Sequence, residues 1–160
     1  MLVQVEVVSF AVDPDKNSPL IILQETGGSR SLSVPIAPLD ASAIAMHSLQ
    51  AAEPGKPLTI DLVKLIVDQL GGELARVVIY DYSEQVYLTR LQVSVGDSVK
   101  IIDCRPSDAI SLALRSRCPI LVNDSVFDRI QTSNNLSEAE ILRNNISSIE
   151  TMQFGRYILE

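Results

Sequence analysis

Three strand-like runs and a helix, followed by three more strand-like runs and a helix, predict an α+β domain built by internal duplication of a three-strand-plus-helix unit. A short internal match supports the duplication. "PLDASAIAM" from Pro38 aligns with "PSDAISLAL" from Pro106, so that Pro38 meets Pro106, Asp40 meets Asp108 and Ala41 meets Ala109. Both matched segments are helical in pattern, small-residue rich and apolar on most faces, which predicts helices covered on two sides. β/α/β layers with central helices follow from these observations.

The elements read in order as follows. Residues 2–12, 19–26 and 30–37 alternate or run apolar like strands, and "DPDKNSP" and "TGGS" between them are turn compositions. A helix over 38–49 closes the first repeat, placed at about 2–50. In "LTIDLVKLIVDQLGG" the residues Leu58, Leu62, Leu65, Ile66 and Leu70 form an amphipathic stripe. Thr59 fits as its N-cap and Gly71 as its C′ residue, and the helix connects the repeats on the outside. The second repeat, about 73–117, has strands over 73–82, 85–95 and 98–104 and a helix over 106–117. A strand over 119–124 and a helix over 137–149 follow, the latter opened by a Ser137–Glu140 capping box. Residues 1–130 are expected to form the domain and 131–160 a C-terminal helical extension.

Composition narrows the function classes. The 160-residue chain is 46% hydrophobic and 21% charged with a net charge of −7, a balance suited to a packed globular domain. No apolar run reaches the roughly 18 residues of a membrane helix, and "MLVQVEVVSF" alternates like a strand and lacks the basic start of a signal peptide. Cys104 and Cys118 are too few for a disulfide framework, so a cytoplasmic protein with free thiols is expected. Without a basic stripe, any contact with nucleic acid should be local, weak, non-specific and salt-sensitive. One histidine, His47, rules out a His-rich zinc site, and neither "GG" pair carries the Lys or third Gly of a phosphate loop.

One constellation remains. In "IIDCRPSDAISLALRSRCPI", Asp103, Arg105, Ser107 and Asp108 crowd a strand-to-helix junction. Pro106 suits the first helical position, Asp108 suits the positive end of the helix dipole, and Arg115 and Arg117 suit the negative end. On that reading every polar residue is helix punctuation, and Asp40 and Asp61 are explained likewise. On the other reading Arg105 offers a bidentate fork to a phosphodiester, and Asp103 and Asp108 position water or a divalent cation such as Mg. Asp40 would join Asp108 as a metal ligand if the repeats face each other. Asp103, Arg105 and Ser107 have no polar counterpart in the first repeat, where Pro35, Ala37 and Leu39 stand.

At these residues the sequence resembles the bifunctional nuclease (DNase/RNase) domain family. "CRPSDAISLALRSRCPILVNDSVFD" resembles the family signature, with "RPSDAI" its specific core. "VVIYDYSEQVYLTRLQV", "KPLTIDLVKLIVDQLGG" and "LSVPIAPLDASAIAM" carry the likeness backwards over roughly residues 3 to 130. The resemblance implies the duplicated β/α/β fold, a homodimer, and cleavage of DNA and RNA. It carries Arg105, Pro106, Ser107 and Asp108 over as family positions, with Thr59 and Asp61 in the connecting helix and Thr59 as a further substrate contact. Two departures stand out: Asp40 where the family commonly has Glu, and Ile60 where it often has His. The alternative, from another class, is a non-catalytic binding or regulatory module on the same fold.

Overall fold

A computed structural model describes residues 1–48 and 57–133. Seven strands and four helices follow one another as β1 (Leu2–Asp13), β2 (Ser18–Glu25), β3 (Ser31–Pro35), α1 (Pro38–Ser48), α2 (Thr59–Gln69), β4 (Gly72–Ser83), β5 (Val86–Val95), β6 (Ser98–Cys104), α3 (Pro106–Ser116), β7 (Ile120–Asn123) and α4 (Asp124–Ser133). The mixed α+β class is thus as the sequence predicts.

All seven strands belong to one sheet, in the order β3-β2-β1-β7-β4-β5-β6. Two antiparallel meanders, β1–β2–β3 and β4–β5–β6, stand side by side, joined by the four-residue β7. β7 runs antiparallel to β1 and parallel to β4. A register shift between Val7 and Ser9 in β1 exchanges the faces of the strand. Val3 and Val5 therefore face the main core, whereas Ala11 joins Leu20 and Ile22 in a small second cluster. The sheet curls enough that Tyr87 of β5 donates its hydroxyl to the Ser33 carbonyl of β3 at 2.7 Å.

α3 occupies the middle of the packing, touching α1, α2, β3, β4 and β5. It buries Ser107, Ala109, Ile110, Ser111, Leu112 and Ala113. Its small residues let neighbours approach on several sides, as their density in the sequence suggests. α1 contributes Ala41 and Ile44 to the same core. α2 buries no residue at all, which fits an outer connecting helix.

Three details differ from the sequence reading. Leu58, not Thr59, is the N-cap of α2, and no side chain caps that end. The third strand is shorter than its apolar run because the chain turns after Pro35 toward α1. A helix also follows β7 directly: α4 buries Val126, Phe127 and Ile130, whose i, i+1, i+4 spacing lies within only ten residues. Gly71, by contrast, stands where expected, with φ +72° just past the C-cap Leu70. The helix over 137–149 and its capping box lie outside the described residues. Among the described residues no helix is long and apolar enough to cross a membrane.

Candidate active site

The β6–α3 junction is built as its sequence dictates. Arg105 is the N-cap of α3, in extended conformation with φ −66° and ψ 145°, and Pro106 follows at the start of the helix. Proline fixes φ where the helix must begin and removes an N–H that would have no intrahelical acceptor. Asp108, in the first turn, lies three residues beyond Arg105 and so returns over the same turn.

Arg105 and Asp108 form a two-pronged pair: Nε and Nη2 donate to the two carboxylate oxygens at 2.8 Å each. Arg105 Nη1 reaches across to Asp40 Oδ2 at 3.3 Å. Asp40 is the third residue of α1, as Asp108 is of α3, so one guanidinium spans the starts of two helices. The two segments that match in sequence thus start helices that meet at one guanidinium. The Arg105 side chain is 62% exposed, that of Asp40 22% and that of Asp108 39%. Hydrogen bonds donated to Asp108, then the charges of Asp108 and Asp40, hold the guanidinium more firmly protonated than usual.

The other predicted residues lie elsewhere. Asp103 projects from the face of β6 opposite Cys104 and accepts from Arg90 Nε at 3.3 Å; the Arg90 guanidinium sits 3.6 Å above the Tyr80 ring. Ser107 is buried, with 5% exposure. Thr59 is exposed at the start of α2, and His47 is exposed in the last turn of α1. Ile60 packs partly buried against the core, so that position serves packing in this chain. Cys104, beside the junction, has its thiol pushed up to about 11 by burial and by the nearby Asp108 carboxylate.

A second polar centre is not legible from spacing. Arg115, which the sequence presents as a partner for the helix dipole, has a side chain only 3% exposed and is bound to Asp61 of α2. Its Nη1 donates to Ser111 Oγ at 2.8 Å and its Nη2 to the Ala43 carbonyl of α1 at 3.2 Å. Arg115 therefore ties α1, α2 and α3 together, and Asp61 is its counter-ion rather than a cap. A signal is present: Ser107, Ser111 and Arg115 form an i, i+4, i+8 polar row in a buried helix, and buried polar rows require partners.

Among the described residues no group of three or more His, Cys, Asp or Glu side chains is arranged to hold a metal ion. Two carboxylates, Asp40 and Asp108, do share one cation, Arg105.

The fold and this junction define an α+β domain with an exposed, charge-paired Arg at two helix starts. Residues 21–135 match the bifunctional nuclease domain, and the chain belongs to that family. It is 36% identical over 123 residues to an uncharacterised protein of Mycobacterium tuberculosis (strain ATCC 25618 / H37Rv), covering 77% of this chain and 73% of that one. It is 34% identical over 112 residues to bifunctional nuclease 2 of Oryza sativa subsp. japonica, covering 68% of this chain and 34% of that protein. Against bifunctional nuclease 1 of Arabidopsis thaliana the identity is 33% over 109 residues, 66% of this chain and 33% of that protein. The match thus spans about a third of these plant relatives.

Proposed function

We propose that this chain hydrolyses phosphodiester bonds of DNA and RNA with little sequence preference, acting in the cytoplasm as a homodimer. The observation that carries the reading is the exposed Arg105 guanidinium at the paired starts of α1 and α3. Helix starts favour anions, and the Arg fork matches two phosphate oxygens. A phosphate reaching the site would exchange one of the carboxylate contacts for a contact to Arg105. Asp108 and Asp40, so released, would hold a divalent cation or orient water for attack. A bound cation would supply charge for the developing oxyanion and lower the pKa of its water. Asp103 would serve as a further carboxylate, ranked behind the other two because Arg90 already engages it. Thr59, exposed at the start of α2, would be a secondary substrate contact, whereas Ser107 is buried and would not reach substrate. The recurrence of strand–strand–strand–helix with Asp40 and Asp108 at equivalent places supports a duplicated origin with the two central helices in a β/α/β arrangement.

The test is degradation of single-stranded RNA and DNA by purified protein with and without Mg²⁺. Arg105→Ala and Asp108→Asn should each abolish most of it; variants that cleave as fast as the parent would remove these residues from the mechanism. A non-catalytic module is the second reading, favoured by the bidentate pair that neutralises Arg105. It predicts no turnover with any nucleic acid, and saturable binding of a partner or small anion.

A further inference from the structure

β6 is exposed along almost its whole length. Residues Ser98 to Asp103 are all exposed and only Cys104 is partly covered, although the strand carries Val99 at 57%, Ile101 at 59% and Ile102 at 48% exposure. It is also a sheet edge. The opposite edge, β3, is five residues long, and Tyr87 occupies its Ser33 carbonyl. Among the described residues β6 has no comparable cover. The two-residue Gly96–Asp97 turn closes on the Val95–Ser98 pair. That register directs the backbone groups of the even residues to β5 and those of Val99, Ile101 and Asp103 to the open edge. α2, an amphipathic helix with no buried residue, packs on α3 and β4, with its Val67 beside Gly72 of β4. An edge with these properties is normally charged, bulged or covered.

We infer that β6 pairs antiparallel with β6 of a second copy of this chain, extending the sheet across a two-fold axis at Ile101 and placing Asp97 of each copy across from Arg105 of the other. The inference rests on the homodimer reading and names its surface. Two-fold symmetry keeps the faces alike, so only residues of the same parity can stand opposite each other. Charge selects among those registers. A register centred on Lys100 would oppose Lys100 to itself and Asp97 to Asp103. One centred on Asp103 would oppose that residue to itself. One centred on Ile102 faces Asp103 with Ile101 and leaves Arg105 against Val99. Centring on Ile101 alone faces Ile101 with itself and Asp97 with Arg105, twice over. Like charges directly opposite destabilise a ladder and unlike ones stabilise it. The partner copy thereby adds an exposed carboxylate, that of Asp97, to the Arg105–Asp108–Asp40 cluster.

The experiment is sedimentation equilibrium of the full chain across about 1–100 μM, with amide hydrogen exchange on the same samples. The parent should show twice the 17.5 kDa chain mass, with the Val99, Ile101 and Asp103 amides protected in proportion to dimer. Ile101→Glu should be a folded monomer by circular dichroism. Asp97→Lys should weaken dimerisation about tenfold at low salt, and less at 1 M salt. Val8→Glu, on exposed β1, should leave the dimer intact. A parent that stays monomeric at 100 μM overturns both dimer and interface. A dimer that survives Ile101→Glu, or unprotected edge amides in a dimer, overturns the interface but leaves the dimer standing. A dimer broken by Ile101→Glu yet indifferent to Asp97→Lys overturns the register. None of these outcomes depends on nuclease activity.

Discussion

Arg115 of α3 and Asp61 of α2 form an ion pair in which the arginine side chain is 3% exposed and the carboxylate 18%. A buried cation is tolerated only while its donors are met, and here Asp61, Ser111 and the Ala43 carbonyl meet them. Removing the carboxylate alone strands the charge. Asp61→Ala should cost about 3 kcal/mol in urea unfolding, the low end for breaking a buried pair, because Asp61 retains some water. Arg115→Met keeps the apolar stem and removes the buried charge, so it should cost less. The double variant should be more stable than Asp61→Ala alone. Equal costs for the two single variants would show that the pair contributes through packing and not through charge.

The Arg105 cluster should behave in the opposite way. Its arginine is 62% exposed, so Arg105→Ala and Asp108→Asn should each change stability by no more than about 1 kcal/mol. If the junction is the active site, the same variants should lower turnover by about 100-fold or more. Asp103→Asn, which releases Arg90 from a distinct pair, should lower it at most severalfold. Side-by-side initial rates for Asp103→Asn and Asp108→Asn decide the point: equal losses would return Asp103 to the centre of the site.

The two polar centres mark where sequence reasoning reaches and where it stops. Pro106 and Asp108 are legible because they obey local rules of helix entry, and the strands because side chains alternate along them. The Pro38–Asp40 match even anticipates that two helix starts are chemically alike. Local spacing can flag a buried polar row such as Ser107, Ser111 and Arg115, but it does not name the distant partner. Arg105 and Asp40 are 65 positions apart, Arg115 and Asp61 54. An arginine in the last turn of a helix satisfies the dipole rule whether it faces water or a buried carboxylate, so spacing presents Arg115 as the former. α4 escapes for a related reason: it is a helix because β4, β7 and β3 cover Val126, Phe127 and Ile130, and local pattern does not report that cover.

Both thiols should be slow nucleophiles. Burial pushes Cys104 and Cys118 up to about 11, in Cys104 with help from Asp108. At pH 8 the thiolate fraction is then on the order of 100-fold below that of a thiol at its ordinary value near 9. Iodoacetamide labelling followed by mass spectrometry should show this slow rate at both sites. Asp108→Asn removes a charge that opposes the Cys104 thiolate and should accelerate Cys104 but not Cys118. Because the folded-state pKa is raised, the thiols' contribution to stability is complete below about pH 9 and is lost as pH climbs toward 11. Equal acceleration at both cysteines would point to general loosening instead of local electrostatics.

Thr89 offers a test of the core itself. It stands on β5 between Ile79 of β4 and Cys104 of β6, is 2% exposed, and its Oγ1 is buried without a hydrogen-bond partner among the described residues. A hydroxyl in that state has given up water and gained nothing, at a cost of about 1–3 kcal/mol. Thr89→Val keeps the branched shape that suits a strand and removes the oxygen, so it should raise the unfolding free energy by about 1 kcal/mol. Thr89→Ser keeps the oxygen, deletes a buried methyl and should lower it by a similar amount. Urea titrations of the three proteins give the sign directly. A Thr89→Val variant less stable than the parent would mean that a buried water or another donor serves Oγ1 in solution, and that the hydroxyl is a structural contact in its own right.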